Sequence, residues 1–371
     1  MFVNSIKLYT KYHHTMAYFS TFVGTLTQNV MIFRKYCSNG VLFDAKDLSN
    51  ESQKYDMLIM GMLFCHSVEV TGGEFPSSKK RCESLFNNDS VFNNDTLHFV
   101  ASSPEEKATL ETLKGAGYEF LGVEPNGSLT VSIKGKHKMY KRLAELPFDS
   151  YRKCMTVIIK EFHVDEMETY STDKPTKPKE TIHVFIKGAE SVILPACVTP
   201  SPEANEILGQ TNVIVNNYAS EGLRTLVYAH KELSRHEFDL FTAQLEHAKQ
   251  SFVNRATFVR DTYRELESTG LHLLGVTAIE DKLQEEVAET IEKLGRAGIT
   301  TWMVTGDKKE TAVNLGHASG KNTLQASPNV ISSENFLQII VQISQNDCES
   351  SSFQNRHASI QWRPSKNCRP L

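Results

Sequence analysis

The chain has 371 residues and a mass of 41.8 kDa, a length that predicts two domains rather than one. Its 40 lysines and arginines nearly balance 44 aspartates and glutamates, giving a net charge of −4, and without a basic block this excludes electrostatic nucleic-acid binding as a first interpretation. With 40% hydrophobic and 23% charged residues, the composition is that of a soluble globular protein, not of a disordered, collagenous or disulfide-stapled one.

The cysteines and the apolar segments bear on the cellular compartment. Seven scattered cysteines without a CxxC spacing are typical of reduced intracellular thiols. The longest apolar stretch, residues 57–65, is about half of the roughly 20 residues that a membrane-spanning helix needs. The first 23 residues lack the apolar block of a signal peptide. We therefore expect the isolated chain to be cytoplasmic.

The first third of the chain predicts a structureless start followed by two helices. Residues 1–23 have no hydrophobic period, whereas residues 54–68 have a helical, apolar one. A second helix is predicted from Ser103, as N-cap, to about Lys114. Glu106 stands at the capping-box position of this helix.

The middle of the chain has patterns typical of strands, at 129–133, 137–146, 155–159, 181–186 and 225–230. Together with flanking helices they predict an antiparallel sheet. The last third instead predicts the order β-α-β-α, with strands at 271–278 and 299–304 and helices at 283–294 and 308–318. That order favours a parallel-sheet domain, and we expect poor order after residue 320.

A short turn follows the second of these parallel strands. Thr305, Gly306 and Asp307 lie at its carboxyl end, where open α/β sheets gather ligands, and they offer a hydroxyl, backbone amides and a carboxylate. These groups suit a phosphate or a magnesium ion. The alternative interpretation is a turn with a helix cap.

Four further residues are candidates for nucleotide contacts, and each has a structural alternative. Lys187, at a strand end beside Gly188, suits a phosphate or is an ordinary strand exit. Arg224 suits phosphate oxygens or forms a surface salt bridge. Phe148 suits stacking on a purine or is a core residue before a turn. Glu106 accepts from an adenine amino group or closes the capping box.

The order and spacing of seven motifs carry more weight than any single residue. They are GTLTQN at 24–29, CH at 65–66, ASSPEE at 101–106, FDS at 148–150, KGA at 187–189, GLRT at 222–225 and TGDK at 305–308. Together they resemble the P-type ATPases, specifically the phospholipid-translocating (P4, flippase) class. The likeness covers about residues 24–320, which correspond to the family's nucleotide-binding domain and the first part of its phosphorylation domain.

The resemblance implies roles for the candidate residues. Phe148 would be the adenine-stacking ring, Glu106 and Lys187 nucleotide contacts, and Arg224 a phosphate-side contact. It makes Thr305, Gly306 and Asp307 neighbours of the phosphorylation site and contributors to nucleotide binding. The cofactors that it implies are ATP and Mg²⁺, although ligands for Mg²⁺ are missing here.

The chain departs from the family at the phosphorylated motif, which reads Asp-Lys-Thr-Gly-Thr-Leu-Thr in the family and Thr-Phe-Val-Gly-Thr-Leu-Thr here, at residues 21–27. Thr21 occupies the nucleophile's position, but a hydroxyl without a base can neither form the acyl phosphate nor bind magnesium as a carboxylate does. Phe22 and Val23 replace the lysine and threonine. The Gly-Asp-Gly-x-Asn-Asp motif, the actuator loop Asp-Gly-Glu-Thr and membrane helices are also missing from the sequence.

We therefore expect an α/β fold. An α+β nucleotide-binding domain of antiparallel sheet and helices is inserted in a partial, Rossmann-like phosphorylation domain of the haloacid dehalogenase type. The expected divisions are a divergent tail at 1–23, the first phosphorylation-domain piece at 24–41, the nucleotide-binding domain at 42–270, a truncated second piece at 271–320 and a poorly ordered divergent tail at 321–371.

The expected function is ATP binding by a catalytically inactive portion of a flippase-like ATPase. The alternatives are a non-catalytic, regulatory nucleotide-binding fragment and a truncated gene product without an independent function. Phospholipid is a partner only through family segments absent from this sequence, and an accessory subunit of the parent flippase stays open. In the family, this region lies on the cytoplasmic face of a membrane protein.

Overall fold

The computed structural model describes residues 17–21, 27–49, 57–71, 98–123, 127–161, 181–297, 300–305 and 330–332. Within them, nine strands form one antiparallel sheet, three form a parallel sheet and two form a short antiparallel ribbon. This confirms a mixed α/β fold dominated by an antiparallel sheet. In these ranges no helix is both long enough and apolar enough to cross a bilayer.

The strands are numbered in chain order. They are β1 Ala17–Thr21, β2 Thr27–Ser38, β3 Val41–Asp44, β4 Glu69–Thr71, β5 His98–Val100, β6 Tyr118–Val123, β7 Ser128–Ile133, β8 Lys136–Asp149, β9 Cys154–Glu161, β10 Ile182–Gly188, β11 Arg224–Leu233, β12 His272–Leu283, β13 Thr300–Thr305 and β14 Val330–Ser332. The order in the large sheet is β3-β2-β12-β11-β10-β9-β8-β7-β6.

The helices are likewise numbered along the chain. They are α1 Met57–Phe64, α2 Pro104–Gly115, α3 Glu190–Ala196, α4 Pro202–Ser220, α5 Arg235–Gln250, α6 Arg255–Glu267 and α7 Val287–Arg296, with a 3-10 turn at Ala45–Ser49. The predicted start of α2 is confirmed, because the Ser103 hydroxyl accepts a hydrogen bond from the Glu106 N–H at 3.4 Å. The predicted strands between 129 and 230 are confirmed as β7 to β11.

Helices cover the large sheet on both faces. On one face α1 and α2 pack against a core that includes Phe64, Leu113 and Phe185. On the other face α3, α4, α5 and α6 contribute to a second core, which includes Val184 and Val215. Helix α2 contacts both β2 and β6, which lie near opposite ends of the strand order, so the sheet curves around α1 and α2.

The prediction that residues 271–278 begin a parallel-sheet domain is wrong. These residues belong to β12, which pairs antiparallel with β11 on one side and with β2 on the other. Its apolar run reflects burial on both faces, because Ile279 lies in one core and Val276 and Ala278 lie in the other. Leu283 accordingly ends a strand, and the predicted helix begins later, at Val287.

The parallel sheet instead has the order β1-β13-β14. The prediction of a structureless start is therefore wrong at residues 17–21, which form β1, and β14 is a strand in the expected tail. The predicted helix at 308–318 lies outside the described residues. The proposed domain boundaries stay a prediction, and the large sheet continues across 41/42 and 270/271 because β2 pairs with β3 and β12 joins β11.

The pairing of β11 with β12 is irregular at Gly275, and the backbone there leaves no room for a side chain. Gly275 has φ +153°, and a Cβ there would overlap the carbonyl oxygen of Cys37 and lie 2.9 Å from Leu58 Cδ2. We expect Gly275→Ala to lower the free energy of unfolding by at least about 2–3 kcal/mol, measured by urea unfolding. The control is Gly209→Ala on α4, where an added Cβ has no atom within 4 Å. This substitution should raise the free energy of unfolding by about 0.5–1 kcal/mol. Equal effects of the two substitutions would contradict the close approach.

Candidate functional site

The structure brings the sequence-predicted residues Phe148, Lys187 and Arg224 to one end of the large sheet. Asp149 pairs with Cys154, Cys154 with Gly188, and Gly188 with Val227. This row of partners therefore joins the end of β8, the start of β9, the end of β10 and the beginning of β11. Neighbouring strands are about 4.8 Å apart, so Phe148 and Lys187 are separated by two strand spacings.

At this end of the sheet Lys187 and Glu106 form a buried ion pair. The Lys187 ammonium donates to Glu106 Oε1 at 2.5 Å, and each side chain is 7% exposed. Glu106 Oε2 accepts from the N–H and from the hydroxyl of Ser67, both at 2.9 Å. Burial raises the pKa of Glu106, but the ammonium and the Ser67 donors outweigh it, so the pKa lies below its usual value. Glu106 is therefore ionised. Its carboxylate contacts Lys187 and Ser67 instead of closing a capping box with Ser103.

The segment that carries Ser67 is held by His66. The His66 Nδ1 accepts from the Val68 N–H at 3.1 Å, which leaves Nε2–H to donate to the Leu63 carbonyl at 2.9 Å. Burial, followed by the charge of Lys187, lowers the pKa of His66 to about 3. The ring is thus neutral, and it fixes the backbone beside the Glu106 carboxylate.

Gly188 permits a close approach, but of the chain to itself. A Cβ at Gly188 would lie 2.5 Å from the Lys153 carbonyl oxygen and 2.7 Å from Cys154 Cβ. The sequence interpretation is that this glycine lets a ligand approach the backbone. In the structure, the atoms that need the absence of a Cβ belong to Lys153 and Cys154. Because Gly188 has no side chain, the β8–β9 turn can pack directly against the end of β10.

Arg224 is held by two acidic residues. Its guanidinium donates to Glu105 Oε1 at 2.7 Å and lies 3.6 Å from Asp281 Oδ2, and the side chain is 19% exposed. The structural alternative, a salt bridge, is thus present, although this one is mostly buried. Glu105 follows Ser103 at the start of α2 and directly precedes Glu106, so α2 presents two adjacent carboxylates to Arg224 and Lys187.

Phe148 is not a core residue. Its side chain is 61% exposed at the end of β8, and so is that of Tyr151 in the following turn. The Arg260 guanidinium lies 4.5 Å from the centre of the Tyr151 ring, whereas Phe148 has no such partner among the described aromatic and cation contacts. An exposed aromatic ring at a strand end offers a flat apolar surface to a ligand.

A second buried ion pair beneath this turn was missed by the sequence reasoning. Arg152 contacts Glu267, at the end of α6, and donates to the Pro147 carbonyl at 2.6 Å. The Thr156 hydroxyl donates to the same Glu267 carboxylate at 2.6 Å. Both charged side chains are under 5% exposed. Because the partners are 115 residues apart, no local pattern in the sequence could have found the pair.

Two of the remaining predicted residues, Thr21 and Thr305, lie in the parallel sheet. Thr21 ends β1 and is the register partner of Val304, the neighbour of Thr305 at the end of β13. Thr21, which the resemblance aligns with the nucleophile of the family, and Thr305 therefore share the carboxyl edge of two paired parallel strands. Gly306 and Asp307 lie outside the described residues.

The comparisons with known proteins agree with this architecture. Residues 80–286 match the family described as P-type ATPase, cytoplasmic domain N. The chain is 34% identical over 316 residues to phospholipid-transporting ATPase IC of Mus musculus, an alignment that covers 81% of this chain and 24% of the relative. It is 30% identical over 367 residues to phospholipid-transporting ATPase 1 of Arabidopsis thaliana, covering 92% of this chain and 29% of the relative.

A family match over more than half of the chain settles its class. The chain belongs to the P-type ATPases, and it carries their cytoplasmic domain N and resembles the phospholipid-transporting members. It spans about a quarter of the length of the curated relatives that it matches.

Proposed function

We propose that this chain binds ATP at the end of the large sheet. The observation that carries the proposal is the exposed Phe148 ring, two strands away from the buried Lys187–Glu106 pair. The adenine would stack on Phe148, and the pair and its Ser67 donors would supply the polar contacts beside it. The match to a P-type ATPase domain N supports the same assignment.

Arg224 has a distinct role in this proposal. Arg224 is the first residue of β11, which begins at this end of the sheet, and it lies beyond Gly188, the last residue of β10. Glu105 and Asp281 hold its guanidinium in place. A guanidinium fixed in this way can receive a phosphate oxygen without first losing side-chain freedom. We assign it to the phosphate side of the nucleotide, in line with the expectation from the motif order.

We further propose that the chain forms no phosphoenzyme and acts as a non-catalytic nucleotide-binding unit. Thr21 occupies the end of β1, where a carboxylate nucleophile would be needed, and Phe22 and Val23 follow it. A threonine hydroxyl carries no charge to hold Mg²⁺, so position 21 does not fit the ion that the family uses. The alternative of a non-catalytic, regulatory nucleotide-binding fragment rests on the same replacement of the family's Asp, Lys and Thr at residues 21–23. The names of the longer relatives state phospholipid transport. For any larger protein that contains this chain, phospholipid transport and an accessory subunit stay proposals.

The decisive experiment for ATP binding is calorimetric titration of the wild-type chain and of Phe148→Ala. Loss of one stacked base contact costs about 1–3 kcal/mol, which weakens the affinity about 5- to 150-fold. The matched control is Phe252→Ala. Phe252 is fully exposed in the loop between α5 and α6 and is not on any of the strand ends that form the proposed site, so its removal should leave the affinity unchanged.

Two outcomes would contradict the proposal. A folded wild-type chain that binds no ATP at millimolar concentration would remove the function. Equal affinities of wild type and Phe148→Ala, both folded by circular dichroism, would leave ATP binding but remove Phe148 from the site.

A further inference from the structure

Two histidines meet on neighbouring strands, away from the nucleotide residues. His183 Nδ1 lies 3.0 Å from His230 Nε2, and their ring centres are 5.2 Å apart. Glu232 is the register partner of His183, and its carboxylate and the two ring nitrogens all lie within 4.8 Å of one another. The cluster combines two imidazoles and one carboxylate, which is a common ligand set for divalent transition metals.

The geometry is close to what one ion requires. Bonds of about 2.0–2.1 Å from a tetrahedral Zn²⁺ to two imidazole nitrogens place these nitrogens about 3.3 Å apart, near the 3.0 Å between His183 and His230. Glu232 is exposed, and its carboxylate lies within 4.8 Å of both nitrogens, so an inward movement of at most about 1–2 Å, by rotation about its side-chain bonds, brings it into bonding distance of the ion.

The surroundings favour neutral rings. His230 is 7% exposed, and burial, followed by the neighbouring His183 and His272, lowers its pKa to about 4. Burial also lowers the pKa of His183, against the carboxylates of Glu232 and Glu161. At neutral pH both rings are therefore neutral. One of the two facing nitrogens donates the hydrogen bond between them, and that ring offers its lone pair to an ion when its proton moves to the other ring nitrogen.

We propose that His183, His230 and Glu232 bind one divalent transition-metal ion of the zinc or nickel class, with water completing its coordination. The site is structural or regulatory, since it is separate from the proposed ATP site. His183 and Lys187 are four residues apart on β10, about 13 Å along the same face of the strand. A bound ion would tie β10 to β11 at the end of the sheet opposite to Phe148.

The test is calorimetric titration of the full chain with Ni²⁺, repeated with Zn²⁺, under a phosphine reductant. Ni²⁺ is the primary probe because imidazole suits it, whereas the chain's thiols compete for Zn²⁺. We expect one ion per chain and a higher melting temperature with the ion. We expect His183→Asn to weaken the affinity at least about 10-fold, and Glu232→Gln about 3- to 10-fold.

His247→Asn, on the exposed side of α5, is the matched control and should change neither the affinity nor the ion-dependent melting temperature. Both ligand variants alter side chains that are not fully buried, so they keep the test valid if a His230 variant fails to fold. Absence of one-to-one binding, or the same affinity in wild type and His183→Asn, would overturn the proposal and leave a hydrogen-bonded histidine pair only.

Discussion

On replacement of Arg152 by methionine, we expect the free energy of unfolding to fall by about 3–5 kcal/mol. The substitution removes the cation and leaves the Glu267 carboxylate, 4% exposed, with neutral hydrogen-bond partners, which include the Thr156 hydroxyl and the Cys154 thiol. It also removes the donor to the Pro147 carbonyl and the guanidinium that lies 5.1 Å from the Tyr263 ring. Urea unfolding followed by circular dichroism measures the change.

The matched control for this prediction is Arg235→Met. Arg235 pairs with Asp239 one turn along α5, and their side chains are 60% and 56% exposed, so we expect a loss of only about 0.3–0.5 kcal/mol. The double variant Arg152→Met/Glu267→Leu should recover part of the loss, because no unpaired charge then stays buried. If Arg152→Met costs no more than Arg235→Met, the buried pair is not a major contributor to stability.

The same ion pair links stability to the proposed site. Arg152 joins the β8–β9 turn to the end of α6, and through Pro147 it holds the residue directly before Phe148. The packing of Gly188 against Lys153 and Cys154 fixes this turn from the other side. The stacking ring is therefore exposed on a segment that is anchored at both ends, which lowers the entropy lost when a base binds.

Local signals explain what the sequence could predict. Ser103 followed by Pro104 defines the start of α2 through groups within one turn, and the structure has that cap. The alternating and β-branched segments that become β7 to β11 were likewise recognisable, because each strand's pattern reflects its own two faces. The motif order identified the family, which the comparison confirms.

Long-range pairing explains what the sequence could not predict. The apolar run in β12 predicts a parallel strand, because helices on both faces of an antiparallel sheet produce the same continuous pattern as a buried parallel strand. Residues 17–21 have no period of their own and become a strand only through pairing with β13. The sequence predicts Glu106 as a nucleotide contact, but its ion-pair partner Lys187 lies 81 residues away, and no spacing in the sequence indicates that the two side chains meet.

The parallel sheet raises the question of catalysis most directly. Its register places Thr21 against Val304, so position 21 lies beside the start of the Thr305-Gly306-Asp307 motif. In the proposed function, this pairing is the scaffold that would bring a nucleophile to the motif, and Thr21 does not supply the nucleophile's carboxylate. This separation of scaffold from chemical group makes position 21 a place where activity can be tested by substitution.

Incubation of the wild-type chain with γ-labelled ATP and Mg²⁺ should give no phosphoenzyme, because an acyl phosphate requires a carboxylate at position 21 and a threonine hydroxyl cannot replace it. Thr21→Asp alone should also stay unlabelled, since Phe22 and Val23 still replace the expected lysine and threonine. The triple variant Thr21→Asp/Phe22→Lys/Val23→Thr is compared with a control that has asparagine at position 21 and the same changes at 22 and 23. Label in the first but not in the second would show that β1 and β13 still align nucleotide and nucleophile. Acid gels with hydroxylamine treatment provide the readout, and hydroxylamine-sensitive label on the wild-type chain would overturn the inactive assignment.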